Sequence, residues 1–218
     1  MLAIETAGPF CSVAVYTSAH ILATAKSDVP NSHAANLHRL IAACMQHAGI
    51  GFSDIQAVAV SSGPGSYTGL RIGMAAAKAI CYLQSIPLIT VSSLAALNDV
   101  LQRESDSCDA YAAVMDSKRD EVFIRITDAQ GAELLKAYPC KANEERIKIF
   151  EGKKVAVAGN AVQKIQSAIP SVFWQVCDKH FAAENMQSIA TGKMNMQQFA
   201  DTAYVEPEYN GSYAKTAF

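Results

Sequence analysis

The sequence predicts an α/β protein made of two similar lobes, and three observations support this prediction. Short apolar runs alternate with amphipathic segments of helical period along the chain. The order of these elements in the first half recurs in the second half. A polar stretch at residues 102–109 separates the halves, which places the lobes at residues 1–104 and 105–218. Because two lobes leave a cleft between them, a ligand site is expected there.

The composition is typical of a soluble globular protein. Of the 218 residues, 50% are hydrophobic and 17% are charged. This balance excludes a disordered polyelectrolyte, which combines high charge with few apolar residues. Lys and Arg number 18 while Asp and Glu number 20, which gives a formal net charge of −2. This charge does not favour a protein that binds nucleic acid without a partner, because such proteins carry an excess of basic residues.

The sequence favours a cytoplasmic location. No apolar run reaches the roughly 18 residues that a membrane helix needs. The first basic residue is Lys26, so the positively charged start of a secretory signal is not found. The cysteines form no CxxC pair for a zinc or dithiol site, and we expect them to be reduced and buried. They are Cys11, Cys44, Cys81, Cys108, Cys140 and Cys177.

The first half predicts the element order β-β-β-α-β-α-β-α. Apolar or alternating runs bounded by turn-prone residues predict strands, and apolar residues at i, i+3, i+4 and i+7 predict helices. Gly49 fits the end of the first helix, and Ser92 or Ser93 fits the N-cap of the third. The predicted strands are residues 2–5, 11–16, 21–26, 56–61 and 87–91, and the predicted helices are residues 36–48, 70–83 and 93–101.

The second half predicts the same order with weaker patterns. Its last strand is weakly marked. The predicted strands are residues 111–116, 121–127, 133–138, 155–158 and 172–176, and the predicted helices are residues 143–150, 160–168 and 182–190.

A glycine-rich loop joins the predicted strand 56–61 to the helix that follows it. Such a loop directs backbone N–H groups and the positive end of a helix dipole to one place, which suits an anion or a phosphate. The spacing matches neither a Walker A loop nor the dinucleotide-binding fingerprint. The alternative is a tight turn that only glycine permits, with Pro64 restricting one φ angle. The loop residues are Gly63, Pro64, Gly65, Ser66, Thr68 and Gly69.

The histidines predict no metal site. His33 and His38 are five positions apart, so on one helix their side chains point about 140° away from each other. The sequence also lacks the i, i+4 histidine pair with an intervening Glu that marks a zinc-protease helix. We therefore expect solvated helix histidines and no bound metal.

Two carboxylates end equivalent strands of the two halves. Glu5 closes the first strand, and Asp116 closes its counterpart, with Arg119 in the charged turn that follows. Facing each other across a cleft, the carboxylates would suit a metal–phosphate group. The alternative is that each caps a turn, a common role for acidic residues at strand ends. No serine lies in a G-x-S-x-G elbow, and no catalytic residue is assigned.

The predicted helix at residues 70–83 is rich in small side chains. Its large polar residues, Arg71, Lys78 and Tyr82, fall on one narrow stripe. Either the helix is buried between the sheet and the helix at 36–48, or it packs against another protein chain. The small residues that would allow a close helix contact include Ala75, Ala76 and Ala79.

Several segments share a pattern with one known family. The most specific is SGPGSYTGLRIG at residues 62–73. The others are IETA and CSVAV near the N-terminus, NSHAANL at 31–37, IPL and VSSL within 86–94, and DSKRDEVF at 116–123. Together they resemble the TsaB (YeaZ) family of bacterial tRNA-modification subunits. The resemblance is dense over residues 1–125 and thin beyond them.

The resemblance implies an actin/Hsp70/sugar-kinase-like (ASKHA) fold of two RNase H-like lobes, the C-terminal one smaller and degenerate. It also implies a role in forming N6-threonylcarbamoyladenosine in tRNAs that read codons beginning with A. In the family, the paralogous TsaD subunit is the metal-binding transferase and TsaB is its non-catalytic partner. The H-x-x-x-H metal motif of TsaD has no match here, so no catalytic residue is carried over.

The resemblance implies protein partners and no cofactor. The expected partners are a TsaD-type subunit, a small TsaE-type ATPase and, in isolation, a second copy of the chain. Transfer RNA is contacted only through the complex, and ATP acts through the partner subunits. The interface is expected on the two helices that start near residues 33 and 70 of the first lobe. The residues assigned to it are His33, Leu37, Leu40, Arg71, Ala75, Ala76, Ala79 and Tyr82.

Two other functions remain possible from the residues alone. A nucleotide-dependent phosphotransferase of the same fold would use Glu5, Asp116 and the glycine loop. A glycoprotease-type metallopeptidase would need metal ligands that the sequence does not offer. The chain also departs from the family pattern. Glu5 stands where Asp is expected in many relatives, the Gly159-Asn160 turn matches a nucleotide-contacting turn only loosely, and residues 210–218 do not follow the family pattern.

Overall fold

The computed structural model describes residues 1–117, 120–142, 145–148 and 150–208. The strands are β1 Leu2–Glu5, β2 Ser12–Tyr16, β3 Ile21–Lys26, β4 Val58–Gly63, β5 Leu88–Ser92, β6 Ala110–Asp116, β7 Glu121–Asp128, β8 Glu133–Lys141, β9 Lys154–Gly159 and β10 Phe173–Val176. The α-helices are α1 His33–Ala48, α2 Tyr67–Gln84, α3 Ser93–Glu104, α4 Glu145–Lys148, α5 Val162–Ala168 and α6 Gln187–Asn195.

The first compact unit comprises residues 1–93 and 182–208. Its sheet has the strand order β3-β2-β1-β4-β5, in which β1 to β3 pair antiparallel and β4 and β5 continue parallel to β1. Helices α1 and α2 contribute to one apolar cluster with this sheet. Leu37, Ile41 and Cys44 are buried at the helical period that predicted α1. Gly49, with φ of 67°, ends the helix in the left-handed region.

The second unit includes residues 94–181. Its sheet has the order β10-β9-β6-β7-β8, in which β6 to β8 pair antiparallel and β9 and β10 run parallel to β6. When the strands of each unit are counted in chain order, the two sheets have the same connectivity. The repeat that the element order predicted is therefore present in the structure.

The units differ from the predicted lobes at both ends of the second lobe. Helix α3 lies with the second unit almost from its start, whereas residues 182–208 return to the first unit. In this returning segment, Ala200 forms a bridge with Leu88 of β5, and Val205 packs against the core of the first unit. Such contacts between distant parts of the chain leave no local signal in the sequence.

Two predicted helices differ from what is observed. The helix expected at 182–190 is a 3₁₀ turn, Ala183–Met186, followed by α6. Of the helix expected at 143–150, α4 is described, while residues 143, 144 and 149 lie outside the described residues.

The cysteines follow the prediction closely. All six are free thiols; five are buried and Cys177 is half-buried. Within the described ranges, no helix is both long and apolar enough to cross a bilayer.

Candidate functional site

The glycine loop connects β4 to α2 in a tightly constrained path. Gly63 has φ of +119°, a backbone conformation that residues with side chains rarely adopt. Ser66 caps α2, because its hydroxyl accepts a hydrogen bond from the Gly69 N–H at 3.2 Å. Pro64 is buried, whereas Ser66 and Thr68 are exposed at the start of the helix.

The glycines allow the loop and α2 to touch the backbone that follows β1. A Cβ atom at Gly65 would lie 2.5 Å from the Ala7 Cβ, and one at Gly69 would lie 2.2 Å from the Thr6 carbonyl oxygen. The Ser66 N–H donates to the Ala7 carbonyl at 2.8 Å. Close packing therefore accounts for these glycines, which favours the tight-turn interpretation over a phosphate cradle.

The returning C-terminal segment covers the other side of Gly63. The Glu208 N–H donates to the Ser62 carbonyl at 2.7 Å, and a Cβ at Gly63 would lie 2.8 Å from the Glu208 carbonyl oxygen. Pro207 is buried beside this contact in the chain. Sequence reasoning missed this neighbour, because Glu208 and Gly63 are 145 positions apart along the chain.

Glu5 is a buried carboxylate that is 1% exposed. Its Oε1 accepts the Ala7 N–H at 2.6 Å, and its Oε2 accepts the Ser93 hydroxyl at 3.0 Å. Removal from water raises the pKa of Glu5, although these hydrogen bonds oppose that shift. The side chain thus ties the turn after β1 to the start of α3, as the capping alternative proposed.

Asp116 is exposed at the end of β6 in the second unit. Its Oδ1 accepts a hydrogen bond from the Lys164 ammonium at 2.8 Å, and its backbone N–H donates to the Asn160 Oδ1 at 2.9 Å. Arg119 lies outside the described residues. Each carboxylate is therefore held by contacts inside its own unit, and a shared cleft site stays a prediction.

His33 corrects the expectation of solvated helix histidines. It is 4% exposed, and its Nε2 lies 3.0 Å from the Gly8 carbonyl oxygen, to which it donates as the Nε2–H tautomer. This hydrogen bond ties the start of α1 to the turn after β1. His38 is exposed, as expected. Across the described parts of the chain, no three His, Cys, Asp or Glu side chains gather as a metal site.

The outer face of α2 is the exposed part of the predicted interface. Arg71, Ala75 and Ala79 are exposed, and Tyr82 is 82% exposed. These positions follow the helical period i, i+4, i+8 and i+11, so they form one stripe. The Arg71 guanidinium stacks over the Tyr67 ring at 4.4 Å from its centroid.

Four of the predicted interface residues do not belong to this outer face. His33, Leu37 and Ala76 are buried, and Leu40 is half-buried. They face the sheet side of their helices, where Leu37 and Ala76 join the core of the first unit. The three buried residues are therefore not available at the surface of the first unit, contrary to the prediction. For Ala76, the alanines on both sides of α2 obscured which side is buried. The prediction also missed two exposed side chains, Leu83 at 75% and Tyr204 at 83%.

A family model described as "TsaD: tRNA N6-adenosine threonylcarbamoyltransferase" matches residues 27–211. The chain belongs to this family. The predicted resemblance to the TsaB (YeaZ) members is confirmed by the relatives and by the solved structures.

Two curated relatives show how the sequence matches are distributed. The tRNA threonylcarbamoyladenosine biosynthesis protein TsaB of Escherichia coli (strain K12) is 31% identical over 123 residues, 56% of this chain and 52% of that protein. The tRNA N6-adenosine threonylcarbamoyltransferase of Anaplasma marginale is 46% identical over 65 residues, 30% of this chain and 19% of that protein. The chain spans about half the length of the TsaB relatives that it matches first.

The match to solved structures covers almost the whole chain. A Pseudomonas aeruginosa protein described as similar to peptidase YeaZ superposes with a TM-score of 0.83 at 23% identity, over 96% of this chain and 98% of that one. At this identity the likeness concerns the fold. Together with the repeated sheet topology, it confirms the predicted actin/Hsp70/sugar-kinase-like fold.

Proposed function

We propose that this chain is a non-catalytic partner subunit in the formation of N6-threonylcarbamoyladenosine in tRNA. It binds a TsaD-type transferase and holds it in its active form. The tRNAs concerned read codons that begin with A. The complex works in the cytoplasm, a TsaE-type ATPase joins it, and ATP acts through the partner subunits.

The exposed stripe on α2 carries this proposal. Soluble proteins seldom leave large side chains such as Tyr82 and Leu83, 82% and 75% exposed, on one helix end without a partner. The side chains of Ala75 and Ala79 are exposed and short, so they would allow a partner helix to approach α2 closely. By contrast, the glycine loop is packed against Thr6 and Ala7, and Glu5 is buried. Neither feature favours the phosphotransferase alternative.

The test is co-purification with the TsaD-type subunit of the same organism, followed by size measurement and a tRNA-modification assay. We expect a stable one-to-one complex and modification that requires both chains. Binding without any effect on modification would contradict the activating role. ATP turnover by the isolated chain without TsaD binding would overturn the proposal in favour of a phosphotransferase.

Variants of α2 separate the interface from the fold. Ala79→Glu places a charged side chain on the exposed stripe, so we expect it to abolish the complex and leave the melting temperature nearly unchanged. Gln163→Glu also adds a carboxylate at an exposed helix position, on α5 of the second unit, and serves as the matched control. Equal binding by both variants would show that the stripe is not the interface.

A further inference from the structure

We propose that the partner-binding face recognises an acidic protein surface and that Tyr204 is one of its anchors. The face comprises the outer sides of α1 and α2 together with the turn at residues 201–204. This inference rests on the proposed function and names the chemistry of the partner that the face accepts.

The two helices carry positive charge and no negative charge. Neither the sequence of α1 nor that of α2 contains Asp or Glu, although the whole chain has a net charge of −2. Arg39 and Arg71 are exposed, and Lys78 is half-buried. In the part of the chain that the structure describes, no carboxylate lies within ion-pair distance of Arg39 or Lys78. A partner that brings carboxylates to this face would supply the missing charges.

Lys78 joins the C-terminal turn to α2. Its ammonium donates a hydrogen bond to the Ala203 carbonyl at 3.3 Å. Tyr82, at the end of the α2 stripe, follows Lys78 by four residues on the same side of the helix. The segment 201–204 therefore lies next to this end of the stripe. The turn therefore extends the face beyond the two helices.

Hydrogen bonds to Asp201 hold the backbone of the turn at 201–204, although its aromatic side chain, Tyr204, is exposed. The Asp201 Oδ1 accepts the N–H groups of Ala203 and Tyr204 at 2.9 and 3.3 Å, and the Val205 N–H donates to the Asp201 carbonyl at 2.8 Å. Val205 then packs into the core of the first unit. Tyr204 is thus 83% exposed on a fixed backbone. A tyrosine held ready in this way loses little conformational entropy on binding, which is typical of an interface anchor.

The charge also distinguishes the partner from a second copy of the chain. Two copies that meet through this face bring like charges together, so salt screens a repulsion and favours the pair. With an acidic partner, salt screens an attraction and weakens the complex. The only carboxylate in the turn, Asp201, already accepts backbone hydrogen bonds, and Glu206 and Glu208 follow it as exposed residues.

The experiment measures the dissociation constant for the TsaD-type subunit of the same organism at low and high salt. We expect Tyr204→Ala to weaken binding about tenfold or more, as an anchor residue does. We expect Arg39→Glu to weaken it most at low salt and to reduce its salt dependence. The controls are Phe173→Ala, an aromatic residue 68% exposed on β10, and Lys141→Glu, an exposed cation on β8. Thermal unfolding verifies that each variant is folded.

The outcomes separate this inference from the proposed function. Binding by the wild type with Tyr204→Ala and Arg39→Glu indistinguishable from their controls would overturn the inference and leave the proposed function standing. No binding by the wild type would overturn both. Self-association that weakens with added salt, or a TsaD complex that strengthens with it, would contradict the assigned charge of the partner.

Discussion

Gly69 of α2 and Thr6, which directly follows β1, lie so close together that no other residue fits at position 69. A Cβ atom there would lie 2.2 Å from the Thr6 carbonyl oxygen. Since atoms in protein interiors do not approach to this distance, α2 or the turn would have to move. The glycine loop is thus a packing device that seats α2 on the first sheet.

Gly69→Ala should destabilise the protein by about 1–3 kcal/mol, the usual cost of overpacking. The measurement is the free energy of unfolding by denaturant. Gly192→Ala is the matched control: it also lies in a helix, where the nearest atom to its new Cβ would be the Met196 Cε at 3.9 Å. There we expect a gain of about 0.4–1 kcal/mol from reduced freedom of the unfolded chain. Similar effects at both positions would refute the packing role.

His33→Ala should lower the free energy of unfolding by about 1–3 kcal/mol, because it leaves the Gly8 carbonyl without its buried donor. His38→Ala, at an exposed position of the same helix, should stay within about 0.5 kcal/mol of the wild type. Denaturant unfolding of both variants checks this pair. An unchanged free energy of unfolding in His33→Ala would mean that the hydrogen bond contributes no net stability.

Glu5 should make stability fall as pH rises. Burial raises the pKa of the Glu5 carboxyl in the folded state, so between its unfolded and folded pKa values the folded protein binds more protons than the unfolded chain. Stability from this group is complete below the unfolded pKa and is lost as pH rises through the folded pKa. Glu5→Gln, which keeps the shape without the charge, should therefore gain stability relative to the wild type with increasing pH.

Unfolding free energies of the two proteins, measured between pH 4 and pH 8, test the Glu5 prediction. Effects of all other titrating groups cancel in the difference between wild type and variant. A difference that stays constant with pH, or that changes in favour of the wild type as pH rises, would contradict it.

The cysteines should differ sharply in reactivity towards an alkylating reagent in the native state. Cys177 is half-buried and should react first. Burial raises the pKa of the Cys81 thiol to about 11 and also raises the pKa values of Cys11, Cys44 and Cys108, so little reactive thiolate forms at these sites. Mass spectrometry of a labelling time course should show one modified site long before the others. Rapid labelling of several sites would show that the core opens readily.

Much of the fold could be predicted from the sequence, because the signals were local. The apolar period of α1 and the left-handed Gly49 at its end both follow from neighbouring residues. The repeated element order likewise led to two sheets of equal connectivity. The last part of the chain was less predictable, because the segment after residue 182 has weak periodicity and is shaped by its contacts with the first unit.

The candidate face shows where local reasoning ends. Ala76 and Ala79 have the same side chain three positions apart, and only packing reveals that Ala76 is buried and Ala79 exposed. The sequence predicts a solvated His33, whereas in the structure its ring is hydrogen-bonded to the carbonyl of Gly8, 25 positions away. Tyr204 belongs to no motif in the sequence, and only the folded chain brings its turn to Lys78, which donates a hydrogen bond to the Ala203 carbonyl.

The sequence by itself determined the order of the elements, the repeat, the family and the absence of acidic residues from α1 and α2. Each of these depends only on neighbouring residues or on composition. The tertiary structure decided which side of each helix is buried, what each glycine of the loop touches, and that the turn at 201–204 lies beside α2. These features depend on contacts between residues far apart in the chain, and such contacts form only when the chain is folded.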